Sequence, residues 1–246
     1  MPLNLFDYPE IRAFASSALE IVSEKLPEAR HIAMTMHGVG YGLDEREAFL
    51  AQIAGLLDAA PANPSVQRIS IVERNQGRAR RLSAILKQID PPSRAAATRS
   101  PQSLTEQVQT PIDAGAASQN KPHVFVAMPF SKELEDVYVF GIQGPVNAAG
   151  FLCERVDMVT FTGDIVDRIM TRIRTASLVI ADLTGANANV YLEVGYAWGV
   201  GRPTLLLMRQ GDELKFDVKG HRCIIYENIV DLSRKLQKDL TEFKVT

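Results

Sequence analysis

The chain has 246 residues, 46% of them apolar and 23% charged, with a formal net charge of −2. That content suffices for one large or two small buried cores, while the near-neutral charge excludes a basic field that would draw the molecule onto nucleic acid or an anionic membrane. No run approaches the roughly 18 apolar residues of a membrane span, and the opening MPLNLFDYPE lacks a signal-peptide pattern, so a cytoplasmic location is expected.

Residues 11–25 read as a helix, and HIAMTM (31–36) and ISIVE (69–73) as strands, the first of them buried. Between the strands lies a helix with Phe49, Ile53, Leu56, Leu57 and Ala60 on one face, opened by Asp44 and Glu47 at capping-box spacing. A further helix places Leu82, Ile85, Leu86 and Ile89 inward. Residues 1–91 thus form a small βαβα unit, Rossmann-like or macro-like, expected to sense a signal or to drive oligomerisation. Its HGVGYGLDERE run (37–47) leaves a strand and opens a helix. Gly38, Gly40 and Gly42, with His37 before them and Glu73 at the end of the next strand, make a second candidate nucleotide site. The spacing is G-x-G-x-G rather than the full dinucleotide fingerprint, and tight-turn glycines without a ligand are the alternative reading.

Residues 92–121, rich in Pro, Ser, Thr, Gln and Ala, carry no sustained apolar period and read as a flexible linker. Beyond it the pattern is regular. Strands are expected at VFVAM (124–128), FLCERV (151–156), SLVIAD (177–182), TLLLM (204–208) and RCIIY (222–226). Helices fall at 131–149, at 164–175 with Val166, Ile169, Met170 and Ile173 inward, at 189–200, and at the end with Ile229, Leu232, Leu236, Leu240 and Phe243 on one face. Continuously apolar strands separated by helices imply a parallel sheet covered on both sides. The fold class is α/β, two small three-layer domains with mainly parallel sheets, the second (122–246) flavodoxin-like or Rossmann-like with any ligand at the carboxyl ends of its strands.

That rule brings the loops after the first three of these strands to one crevice. Glu193 follows the third, in a run otherwise made of Val, Tyr, Leu, Gly, Ala and Trp, where an unpaired carboxylate is costly. With Asn189 as the expected N-cap, Glu193 falls about a turn into its helix, with Tyr196 three residues on to bond it or stack on a base. Asp182, at the end of the third strand, is a second carboxylate for the crevice; the plainer reading is that it binds backbone N–H groups of its own turn. Arg155 and Asp157 are candidates for phosphate and ribose hydroxyls, or a local ion pair, and Met128, Pro129 and Phe130 for a base pocket, or simply core.

The runs VFVAMPFS (124–131), CERVD (153–157), GDIVDRI (163–169) and ADLTGANANVYLEVGYAWGVGRPTLLL (181–207) resemble the nucleoside 2-deoxyribosyltransferase-like proteins, and more closely their TIR-like relatives. The resemblance implies a Glu nucleophile at the anomeric carbon, matched by Glu193 in LEVGYA, and an acidic residue of the preceding helix on a sugar hydroxyl, matched by Asp167 or Asp164. It implies an N-glycosidase acting on NAD or a (deoxy)nucleotide, in the manner of bacterial antiviral defence effectors; with the first unit driving assembly, a homo-oligomer is expected. The loop AMPF lacks the Gly or Tyr of many true transferases, which leaves hydrolysis, transfer and nucleotide binding alone as open alternatives. No cofactor or metal is expected, since Cys153 and Cys223 lie far apart without a His cluster, and a small-molecule nucleotide is the expected partner.

Overall fold

A computed structural model describes residues 6–89, 121–156, 163–213 and 220–243, the side chains of Tyr41, Gly163 and Asp164 excepted. The chain divides into two compact units, residues 1–120 and 121–246. The expected linker, Lys121 aside, and Asp157 lie outside the described residues.

In the first unit, α1 (Tyr8–Lys25) is followed by β1 (His31–Thr35), α2 (Glu45–Ala59), β2 (Arg68–Val72) and α3 (Gln76–Ile89). Helix α1 starts three residues before the apolar period. Asp7 caps it, and the Asp7 N–H donates to Glu10 Oε2 at 3.0 Å, a full capping box with Pro9 in the first turn. Asp44 caps α2 through Oδ1, which accepts from the Glu47 N–H at 3.0 Å, while the Asp44 N–H donates to the Tyr8 hydroxyl at 2.9 Å, tying the start of one helix to the other.

Strands β1 and β2 pair in parallel, with Ile32 opposite Ile69 and Met34 opposite Ile71. The expectation of a buried first strand fails here. Exposure alternates along β1, because the helices cover the face of Ile32 and Met34 while His31, Ala33 and Thr35 stay exposed. Helix α3 is likewise less covered than its period implies, with Leu82 buried but Leu86 45% exposed. Helix α2, by contrast, is buried almost all round, because α1 lies against it so closely that Gly55 has no room for a side chain.

The second unit holds β3 (His123–Ala127), β4 (Leu152–Glu154), β5 (Leu178–Asp182), β6 (Thr204–Arg209) and β7 (Cys223–Tyr226), all parallel, in the order β4-β3-β5-β6-β7. Counted within the unit this is 2-1-3-4-5, the flavodoxin order, with its switch point between β3 and β5. Helix α4 runs through Lys132–Asp136, a π segment Val137–Gln143 and Gly144–Ala148; α5 is Gly163–Thr175, α6 Ala188–Gly199 and α7 Ile229–Phe243. Alternate residues of the fully buried β3 feed the two cores. Val124 and Val126 meet Ile142, Val146, Leu232 and Leu236 of α4 and α7. Phe125 and Ala127 meet Ile169, Ile173, Val190 and Val194 of α5 and α6. Each such large side chain contributes roughly 1.5–3 kcal/mol by leaving water, so a run without polar breaks is what a sheet covered on both faces requires. Val166, expected inward on α5, is 46% exposed. Among the described residues no helix is long and apolar enough to cross a membrane.

Candidate functional site

Helix α6 carries the candidate residue Glu193. Its N-cap is Asn187, two residues before the expected Asn189, and the Asn187 side chain accepts the Asn189 N–H at 2.9 Å. The helix buries the stripe Val190, Val194 and Ala197 against the sheet. Glu193, three residues after Val190 and four before Ala197, is thereby drawn to the flank of that stripe and half-buried. It lies six residues past the cap, roughly 9 Å along the axis, beyond the first turn where a helix dipole favours an acid. Among the described residues its carboxylate has no hydrogen-bond or ion-pair partner, and burial alone pushes its carboxyl up to about 7.

Between pH 4.5 and about 7 the native chain therefore holds a proton on Glu193 that the unfolded chain does not. The stabilisation from this group is complete below 4.5 and is lost as pH rises through about 7. Glu193→Gln should accordingly raise the unfolding free energy by roughly 2 kcal/mol at alkaline pH and leave it nearly unchanged in mild acid. Denaturant titrations at the two pH values measure the difference.

Asp182 ends β5 fully buried, and both its oxygens are engaged. Oδ1 accepts the Thr184 N–H at 3.0 Å and Oδ2 the Tyr226 hydroxyl at 2.9 Å. Burial raises its carboxyl despite these bonds. Burial and the nearby Asp182 charge push the Tyr226 hydroxyl up to about 12, so it remains a donor at neutral pH. The Thr184 hydroxyl lies 3.3 Å from that of Tyr226 and accepts the Arg209 N–H at 3.0 Å, while the Gly185 N–H donates to Asp212 at 2.8 Å. This network fixes the turn that launches α6. The geometry is that of the plainer reading of Asp182, a carboxylate holding its own turn. Sequence reasoning overlooked Thr184 and Tyr226, and the only signal was a tyrosine closing an aliphatic strand. Tyr226→Phe removes one donor from a buried carboxylate, for an expected loss of roughly 1–3 kcal/mol in denaturant unfolding.

On the other side of the switch point, Arg155 is held between two rings, its guanidinium carbon 3.8 Å from the Tyr138 centroid and 4.7 Å from that of Phe130. Its Nη2 donates to Glu135 at 2.8 Å and its Nη1 lies 3.6 Å from the Met128 sulfur. The structure thus gathers Met128, Phe130 and Arg155 into one cluster. Met128 also belongs to the core, whereas Phe130 is 41% exposed and Pro129 half-buried. Arg155 forms an ion pair with Glu135, so a phosphate would have to compete with that carboxylate. Tyr196 is half-buried on α6 beside Glu193 in sequence register, while Asn189 and Asp167 are exposed. Asp164 begins α5.

The residues of the second candidate site lie on the turn between β1 and α2 and just after β2. Gly38 (φ 89°) and Gly42 (φ 87°) bound a short 3-10 turn, Val39–Tyr41, where positive φ favours glycine, and Gly38 also packs tightly on Ile11. Gly40 is exposed. The α2 N-terminus is capped by the Asp44 carboxylate, with Glu45 and Glu47 in its first turn, which disfavours a phosphate there. Glu73 accepts the Asn75 N–H at 2.6 Å and pairs with Arg78 at 3.3 Å, so it too closes a turn.

No protein-family model matches the chain, and no curated protein matches it. One solved structure that it resembles is the CMP N-glycosidase BcmB of Clostridium botulinum. The identity is 21% and the TM-score 0.39, over 47% of this chain and 98% of that one. Among the described residues, no group of His, Cys, Asp and Glu is placed to hold a metal ion.

Proposed function

We propose that the C-terminal unit is a nucleotide N-glycosidase whose working group is Glu193. The observation that carries this reading is a carboxylate without a partner among the described residues, half-buried on the helix that follows β5 at the edge of the switch point. Cleaving a C–N glycosidic bond passes through an oxocarbenium-like state. In the proposed reaction the C1′–N bond breaks with its electron pair leaving on the base, and Glu193 either bonds C1′ or stabilises its positive charge. Water then adds its oxygen to C1′ and gives up a proton to solvent, any Glu193–C1′ bond breaks with its electron pair returning to the carboxylate, and the product is the free sugar, its phosphate, or ADP-ribose where the substrate is NAD. A cationic base such as the nicotinamide of NAD departs neutral and needs no proton donor. A neutral base must collect a proton, and Glu193, poised near 7, releases its own before acting.

In this reading the Asp182, Thr184 and Tyr226 network positions α6, Tyr196 and the Met128, Phe130 and Arg155 cluster border the substrate, and Asp164 or Asp167 meets a sugar hydroxyl. The alternative is a nucleotide sensor without turnover. What favours it is the protonated fraction of Glu193 at neutral pH, since a neutral carboxyl donates a hydrogen bond to a ligand rather than attacking it. Incubating the chain with nucleosides, nucleotides and NAD, and separating liberated base by chromatography, decides between them. Base release supports the glycosidase, and saturable nucleotide binding without release supports the sensor.

A further inference from the structure

We propose that the Glu135 carboxylate holds the place of a terminal phosphate on Arg155, and that the nucleotide which binds displaces it. The inference rests on the reading above, which puts a nucleotide at Glu193, and narrows that nucleotide to one ending in a phosphate monoester. Phe130 follows β3 and Arg155 follows β4. Both therefore stand at the carboxyl ends of the strands, where this fold takes its ligands.

The two members of the pair are unequal. The Arg155 side chain is 12% exposed and that of Glu135 37%. Tyr138 and Phe130 fix the cation, their centroids 3.8 and 4.7 Å from the guanidinium carbon, and the Tyr138 hydroxyl donates to the Cys153 carbonyl at 3.4 Å. Glu135 stands in the first turn of α4, and among the described residues its carboxylate has no partner besides Arg155 Nη2 at 2.8 Å. The carboxylate is thus the partner that can leave. An ion pair with one exposed member contributes little, so a better anion takes the cation at small cost.

The donors decide which anion is better. A guanidinium carries five N–H groups in one plane, suited to parallel bonds with an oxyanion. Glu135 takes one of them, Nη1 has only the weakly accepting Met128 sulfur at 3.6 Å, and no other partner of the guanidinium occurs among the described residues. A phosphate monoester offers three acceptor oxygens and, at about pH 7.5, close to two negative charges. The carboxylate carries a single charge, as does each phosphate in the diphosphate bridge of NAD. A diester phosphate therefore exchanges like for like, whereas a terminal phosphate gains charge at the cation.

The probe is methyl phosphate, with dimethyl phosphate as the diester, titrated into the full chain at constant ionic strength and about pH 7.5. NMR follows the Arg155 Nε–H resonance and the Glu135 carboxyl carbon. Methyl phosphate should shift both saturably with one midpoint, as the two groups part, and bind at least about threefold tighter than dimethyl phosphate. Glu135→Gln should tighten methyl phosphate about two- to fivefold, because the competing charge is gone. A Glu135 that only props Arg155 in place gives a loss or no change instead. The paired shifts are read on the unaltered chain, so a variant that fails to fold leaves the test standing. Absent or separate transitions, equal affinities for the two esters, shifts that sodium chloride alone reproduces, or a Gln chain that binds no tighter would each overturn the inference. A chain that answers as expected and releases no base overturns the glycosidase alone. One that releases base while methyl phosphate leaves the Glu135 carbon unmoved overturns this inference alone.

Discussion

Glu193→Gln should lower the rate of base release by at least about 10³-fold while nucleotide affinity changes by less than a few fold. Gln matches Glu in size and keeps hydrogen bonds to a ligand, but it can neither bond C1′ durably nor present negative charge to an oxocarbenium-like centre. The loss should therefore fall on kcat rather than KM. A second expectation is tied to the same group. The reactive form is the carboxylate, so kcat/KM of the unaltered chain should climb with pH up to about 7 and level off above it. Stopped assays for free base across pH, together with equilibrium binding of the same nucleotide to both chains, measure these effects. If the Gln chain turns over at the native rate, Glu193 is not the working group.

The other large effect concerns stability. Gly55→Val should destabilise the first unit by at least about 3 kcal/mol. A Cβ at Gly55 would sit 2.1 Å from the Arg12 carbonyl oxygen and 3.0 Å from the Ala15 methyl, and the nearest of these atoms belongs to the α1 backbone rather than to a side chain that can swing aside. The two helices would have to separate along their whole contact, which includes Ala15, Leu19 and Leu56 and the pair between Arg12 and Asp58 at 2.6 Å. Hydrogen exchange of the α1 amides, compared between the two full-length chains, reports the loss directly. Unchanged protection would mean that α1 and α2 do not approach so closely.

How far these features were legible in the sequence differs between the two units. In the second, the five strands could be read to within a residue or so at most ends, because a sheet buried on both faces leaves uninterrupted apolar runs such as residues 124–127 and 178–181. The inward leucines of α7 were equally plain, Leu232, Leu236 and Leu240 each falling one turn after the last. In the first unit the same reasoning misled, because a short apolar run looks alike whether one face or two are covered, and β1 turned out to alternate. The start of α1 was missed although Asp7, Pro9 and Glu10 spell out a helix entry, since the apolar period begins only at Ile11.

At the candidate site, Glu193 could be singled out from its apolar neighbours alone. Its surroundings could not, because Thr184 and Tyr226 are separated from each other by 42 positions and meet only through the order of the strands. The shift of the helix cap from Asn189 to Asn187 reflects a different ambiguity. Both are good capping residues, and the choice between them is made by the turn after β5, which Asp182 closes.

The bond from Tyr226 to Asp182 spans the sheet, joining its outermost strand to the middle one across β6. The outer margin of the second unit is consequently part of the mounting of Glu193. If Glu193 is the working group proposed above, drift in the sequence of β7 would retune the aim of that acid, and the last strand of the sheet would be a place where selection adjusts reactivity without changing α6 itself.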